Sequence, residues 1–311
     1  MTQERDHGGG LDGAIAVFGG TRSDWIDLST GINPVPYPMP SLPADAWTAL
    51  PDKGAFADLY TAAQKFWNVP ETADVLAATG ASAIIAAIPQ ALPKGTVHIP
   101  GPTYNEHAAA FAAAGWETSD QASHAMVAVH PNNPDGKTWH ASDLTANFTV
   151  IDESFCDIAP KASLIAQAKR PGTLVLKSFG KFWGLAGLRL GFVMGDPALI
   201  ARLRDLLGPW QVSGPALAIG TAALSDRDWA MQTRARLAQD ANHLDALMVK
   251  RGAVPCGGTD LFRLYEVDDA AALQSTLAKH HVWTRVFPYN SRWIRLGLPA
   301  PHQWAQLEAA V

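Results

Sequence analysis

Between residues 74 and 195 the chain alternates short apolar runs with alanine-rich stretches of helical spacing. The runs are DVLAAT (74–79), GTVHIP (95–100), HAMVAVH (124–130), NFTVID (147–152), TLVLKS (173–178) and RLGFVMG (189–195). Near-continuous apolar segments of this length predict strands buried on both faces. Between them, ASAIIAAIPQAL and NEHAAAFAAAG repeat apolar and small residues at helical intervals, and small residues let a helix lie close to a sheet. The alternation predicts an α/β domain over residues 46–208 with a mostly parallel central sheet. Beyond Gly208 the pattern changes. A long charged helix, roughly 226–251, precedes strand-like runs near LFRLYEV (261–267) and WIRLGL (293–298), which predicts a smaller C-terminal α+β domain over 209–311. Residues 1–45, rich in Gly and Pro with GINPVPYPMP at 31–40, read as an extended arm and not a packed unit.

Composition narrows the partners more than the fold. Of 311 residues, 48% are hydrophobic and 17% charged, the balance of a globular protein with a substantial core. A net charge of −5 with no block of like charge argues against nucleic acid or an anionic membrane surface as a partner. No apolar run is long enough to cross a bilayer, and MTQERDHGGG lacks the apolar core of a secretion signal, so a cytoplasmic address is expected. Cys156 and Cys256 stand far apart and outside any CxxC pair, so neither a disulfide framework nor a metal site is expected.

Ligands of open α/β sheets bind beyond the carboxyl ends of the strands, which directs attention to the polar residues that follow each run. Lys181, in SFGK after TLVLKS, can form a Schiff base with a cofactor aldehyde if its pocket lowers its pKa; a surface lysine is the alternative. Ser178 precedes it, and Arg189 opens the next apolar run, where a buried guanidinium needs an anion such as a phosphate. Asp152 ends NFTVID and can keep a pyridine nitrogen protonated, or simply cap a helix. Asn133, in HPNNPDG, can donate to a cofactor phenolate oxygen, or belong to an ordinary turn. Gly80-Ala81-Ser82 joins a strand to a helix, where free N–H groups suit a phosphate. Tyr104, in PTYNEH, can stack on a pyridine ring or fill a core.

Taken together, HPNNPDG, IDESF, SFGKFWGLAGLRLGF and WIRLGL resemble the signature set of fold-type-I aminotransferases, and the resemblance covers essentially the whole chain. It implies pyridoxal 5'-phosphate (PLP) as cofactor, with Lys181 carrying it, Asp152 on the ring nitrogen and Asn133 on the ring oxygen. Ser178, Arg189 and the 80–82 turn would hold its phosphate, and Arg295 the substrate α-carboxylate. A homodimer is implied in the same way. His7-Gly8-Gly9, DLSTGINP at 27–34 with its Asn33, and Phe155 where many relatives carry tyrosine are similar to the threonine-phosphate decarboxylases of cobalamin biosynthesis. That branch implies decarboxylation of L-threonine O-3-phosphate to (R)-1-amino-2-propanol O-2-phosphate. His7, Gly8, Gly9 and Asn33 would then join Arg295 around the phosphorylated amino acid, with the arm as a mobile lid. The rival readings are a histidinol-phosphate-type aminotransferase and a PLP fold that has lost catalysis. Two features depart from the family pattern: Gly10 follows HGG where Asn is usual, and Leu50-Pro51 replaces a Tyr-Pro that reaches a neighbouring subunit's site. Arg202, Arg204, Arg234 and Arg236 are read as a solvated helix face in preference to a pocket wall.

Overall fold

The apolar runs form a seven-stranded sheet in the computed structural model, which describes residues 7–121 and 124–311. Across the sheet the strands are Asp74–Thr79, Leu190–Gly195, Thr173–Ser178, Phe148–Asp152, Ala125–Val129, Thr96–His98 and Glu117–Thr118. All run parallel except Leu190–Gly195, which is antiparallel to both neighbours. Ala125–Val129 and Leu190–Gly195 are buried along their whole length, as two covered faces require. Ile84, Ile88, Phe111 and Leu203 come from three helices, Ala81–Ala91, Asn105–Ala113 and Pro197–Leu207. They pack against Leu76, Val127, Val150 and Leu174 of the sheet.

The strand reversal positions the site. In an antiparallel strand the amino end lies at the edge where the parallel strands have their carboxyl ends. Arg189, immediately before Leu190, therefore joins the residues that follow Thr79, Val129, Asp152 and Ser178.

The chain divides into two compact units: Pro36–Asn133 with Lys137–Met231, and Met1–Val35 with Pro134–Gly136 and Gln232–Val311. These differ from the boundaries that composition led us to expect. Residues 209–231 belong with the sheet, because helix Gly214–Ser225 buries Leu217, Ile219 and Leu224 there. The division falls inside helix Arg227–Lys250. The second unit holds a four-stranded antiparallel sheet in the order Arg285–Phe287, Asn290–Gly297, Phe262–Glu266, Val254–Thr259.

The described part of the expected arm is not an extended segment. Residues Leu11–Phe18 form a helix, and Ile26–Asp27 pairs in parallel with Val282–Trp283. Trp25 packs with Leu11, Ala14 and Ala278. Ile26 and Leu28 are buried completely, and each such side chain contributes about 1.5–3 kcal/mol, enough to fix a segment whose Gly and Pro content reads as loop.

Candidate active site

One pocket in the larger unit is lined by all nine residues expected to meet the cofactor: Gly80, Ala81, Ser82, Tyr104, Asn133, Asp152, Ser178, Lys181 and Arg189. One end of it, at Gly80 and Arg189, is built on close backbone approach. Gly80 has φ +79°, and a Cβ there would stand 2.6 Å from Arg189 Nη2, so glycine lets the guanidinium lie on the turn. A Cβ at Gly191 would meet Ala81 N at 2.3 Å, so that glycine seats the amino end of helix Ala81–Ala91 against the sheet. Arg189 itself has φ +55° and donates from Nη1 to Ala186 O at 3.0 Å. N–H groups at a helix start, a hydroxyl and an arginine around a cradle that a side chain would fill suit a phosphate.

At the other end Asp152 is only 2% exposed. Its Oδ2 lies 2.8 Å from His107 Nε2, and its Oδ1 accepts from Ser154 Oγ at 2.6 Å and Ser154 N at 3.0 Å. Burial works to raise its pKa, but the hydrogen bonds and charge of His107, with those of Ser154, outweigh it and hold the carboxyl below the usual range. A buried carboxylate kept ionised this way fits a protonated ring nitrogen. Tyr104 is hydrogen-bonded to Ser82, and its phenol is pushed up by burial and then by the charges of Glu106 and Asp152, so it remains neutral. Lys181 Nζ lies 5.3 Å from the centre of the Phe155 ring, an apolar face in place of a phenol hydroxyl.

His107, Ser154 and Asn132 complete this site and were not anticipated. Asn132 accepts from Thr103 Oγ1 at 2.5 Å and donates to Pro102 O at 3.0 Å, tying the loop that carries Tyr104 to the turn that carries Asn133. The available signal was spacing: His107 follows Tyr104 by three residues at a helix start, which puts both on one face.

The chain from residue 117 to 311 matches the family described as aminotransferase class I and II. The chain belongs to this family. It is 37% identical to a threonine-phosphate decarboxylase of Pseudomonas aeruginosa, over 98% of this chain and 97% of that one. It is 39% identical to a threonine-phosphate decarboxylase of a Sinorhizobium species, over 94% and 92%. The fold is shared with a histidinol-phosphate aminotransferase of Sinorhizobium meliloti solved in complex with pyridoxal-5'-phosphate. That likeness has a TM-score of 0.71 at 19% identity, covering 83% of this chain and 81% of that one.

In this aminotransferase-family chain the five residues expected at the substrate lie in the second unit. Arg295 is 5% exposed, donates from Nη2 to Ser29 O at 2.6 Å and stands opposite Arg285 across two antiparallel strands. Burial, then the neighbouring Arg285, lowers its pKa to about 10, so it stays charged at neutral pH. His7, Gly8 and Gly9 gather at the same point. Arg285 donates to His7 O, Gly9 N donates to Ser29 Oγ at 2.7 Å, and a Cβ on Gly8 would stand 2.4 Å from Ser29 O. These contacts tie the turn to Ser29 and Arg285 of its own unit. Asn33 is buried and accepts from Arg236 Nη2 at 2.5 Å and from Val35 N at 3.0 Å. Arg236 also pairs with Asp240 at 2.9 Å and is half-buried, where a solvated position was expected; Arg204 pairs with Asp74 at 3.0 Å on the surface.

Proposed function

We propose that this protein is a PLP-dependent threonine-phosphate decarboxylase that converts L-threonine O-3-phosphate to (R)-1-amino-2-propanol O-2-phosphate in cobalamin biosynthesis. The observation that carries the reading is the convergence of Lys181, Asp152, Ser178 and Arg189 on one pocket, in a chain related along its length to threonine-phosphate decarboxylases. The residues present fit the cofactor. Arg189, Ser178 and the N–H groups at 81 and 82 would hold its phosphate, Tyr104 its ring face, Asn133 its ring oxygen and Asp152 its ring nitrogen. Lys181 would bind its aldehyde carbon.

When bound, the cofactor supplies a conjugated sink for the electron pair left by a departing carboxylate. The protein decides which bond at the substrate Cα breaks. Arg295 would grip the α-carboxylate, while His7 and the backbone at Gly8, held in place by the Gly9–Ser29 hydrogen bond, would take the substrate phosphate, with Asn33 as a further substrate contact. Two anions held at fixed points would set the orientation of the substrate Cα and so select which of its bonds is cleaved. Asp152 would favour a proton on the ring nitrogen, and Lys181 Nζ would be the group that returns a proton to the substrate Cα.

Self-association belongs to the same reading. Trp47, Leu50 and Trp210 are 72%, 68% and 55% exposed, and Trp210 lines a groove with Phe56, Tyr60 and Pro209. Apolar surface of this kind supports a homodimer. No helix among the described residues is long and apolar enough to cross a membrane, and a cytoplasmic setting is proposed.

The deciding experiment supplies threonine phosphate to the PLP-loaded protein and follows carbon dioxide and keto product together. Carbon dioxide without keto product is expected. Rapid turnover of histidinol phosphate with 2-oxoglutarate, and no carbon dioxide from threonine phosphate, establishes the aminotransferase instead.

A further inference from the structure

Beneath the pocket, among residues that do not line it, the larger unit buries one ammonium with two carboxylates. Lys177 Nζ lies 2.6 Å from Glu153 Oε2 and 3.3 Å from Asp157 Oδ1, and all three side chains are nearly inaccessible. Burial alone would lower the lysine's pKa, but the charges of Glu153 and Asp157 raise it well above the ordinary value. The remaining lone pairs are used. Glu153 accepts from Ser163 Oγ at 2.7 Å and from Leu164 N, while Asp157 accepts from Trp67 Nε1 at 2.8 Å and Trp183 Nε1 at 3.0 Å. Replacing a buried ion pair with apolar residues is often neutral or stabilising, so stability is a weak reason to build one.

Its position offers a better one. Glu153 follows Asp152, Lys177 precedes Ser178, and Trp183 lies two residues beyond Lys181. Trp183 is completely buried and stacks on Phe179 at 5.1 Å and on Trp229 at 5.4 Å, and its carbonyl accepts from Tyr37 N at 2.9 Å. The turn itself closes through Gly184 N to Lys181 O at 3.1 Å. Glu153, Lys177 and Trp183 thus each stand within two residues of a group proposed to touch the cofactor, and Asp157 joins two of them through its carboxylate.

We infer that Glu153, Lys177, Asp157 and Trp183 are positioning residues, which hold the Lys181 turn at a fixed distance from Asp152 so that the amine meets the cofactor aldehyde while the ring nitrogen meets the carboxylate. The inference rests on the PLP reading above. Its signature is that the cluster acts through Lys181, so its effect on the cofactor disappears once that amine is gone.

The test is a double-mutant cycle read as the rate of PLP release in a chase experiment. Trp183→Phe keeps an aromatic ring in the stack and removes the N–H donated to Asp157 together with part of the indole's volume, a packing loss common to both backgrounds that the cycle cancels. In the Lys181 protein it is expected to speed PLP release roughly tenfold, the low end of what one hydrogen bond to a charged acceptor is worth. In a Lys181→Ala background, where only non-covalent contacts remain, the same change is expected to alter release less than twofold. An equal factor in both backgrounds, or no change in either, overturns the inference in favour of general stabilisation. Asp157→Asn, which removes the charge without removing the side chain, serves as the second variant if Trp183→Phe does not fold. Failure of the unmutated protein to bind PLP would overturn the cofactor reading itself, a distinct result.

Discussion

Asp152 shows how much a single position depends on neighbours distant in sequence. Its carboxylate is buried, yet His107 and Ser154 keep its pKa down. A carboxyl with a depressed folded pKa adds stability that is present above the unfolded pKa of about 4 and is lost as pH falls through the folded value. In His107→Ala the main opposition to burial is gone and the folded pKa rises. The destabilisation relative to the parent is therefore expected to be largest near pH 7 and to shrink below about pH 4, as urea unfolding at the two pH values would report. If the two differences are equal, the His107–Asp152 bond carries no charge coupling. For catalysis, Asp152→Ala should lower turnover by about three orders of magnitude or more while PLP affinity changes far less, because the phosphate end is untouched. Lys181→Ala is expected to abolish turnover and shift the visible absorption of the bound cofactor while circular dichroism is unchanged. Retention of both activity and band would move the cofactor lysine elsewhere.

Among the elements, the phosphate end depends on glycine at two places where helix and strand nearly touch. Gly80→Ala adds a Cβ 2.6 Å from Arg189 Nη2 in a backbone conformation that L side chains rarely adopt, and PLP affinity is expected to fall at least tenfold with the sheet intact. Unchanged affinity in a PLP titration would mean that Arg189 does not serve the phosphate. The strands and the residues just past them were legible in the sequence because a fully buried strand announces itself as an apolar run and ligand groups follow its end. Thus position singled out Asp152, Ser178 and Lys181 as candidates, while their roles came from the family resemblance and not from position. His107 could not, because it sits in an alanine-rich helix and its partner lies 45 residues away. Asn132 was hidden beside Asn133, since a turn with two asparagines does not say which one faces the ligand. Residues 7–35 were misread for a different reason: Trp25, Ile26 and Leu28 are too few to show a period, and their burial depends on Val282 and Ala278 far along the chain.

Across the whole molecule, the amino-terminal turn is bound to its own unit through Ser29 and Arg285 and so arrives preformed. Deleting residues 1–10 is expected to raise the Michaelis constant for threonine phosphate at least tenfold and to spare PLP binding. An unchanged constant would remove His7, Gly8 and Gly9 from the substrate site and weaken the preference for decarboxylation. Trp210→Glu, on the exposed apolar face, is expected to move the sedimentation coefficient from dimer to monomer; a wild type that already sediments as a monomer would refute the dimer. The reversed strand Leu190–Gly195 has a further effect, on the chain as it emerges from the ribosome. Among the described residues strand Asp74–Thr79 pairs only with it, so the earlier strand waits for more than a hundred residues to be translated before its hydrogen bonds have a partner. At ordinary synthesis rates that is on the order of ten seconds with an apolar edge exposed, an interval in which nascent chains invite chaperones or one another. The close approach of Gly80 and Arg189 forms at the end of that interval, so a chain stalled before residue 189 carries Lys181 and Asp152 but lacks the guanidinium proposed to hold the phosphate.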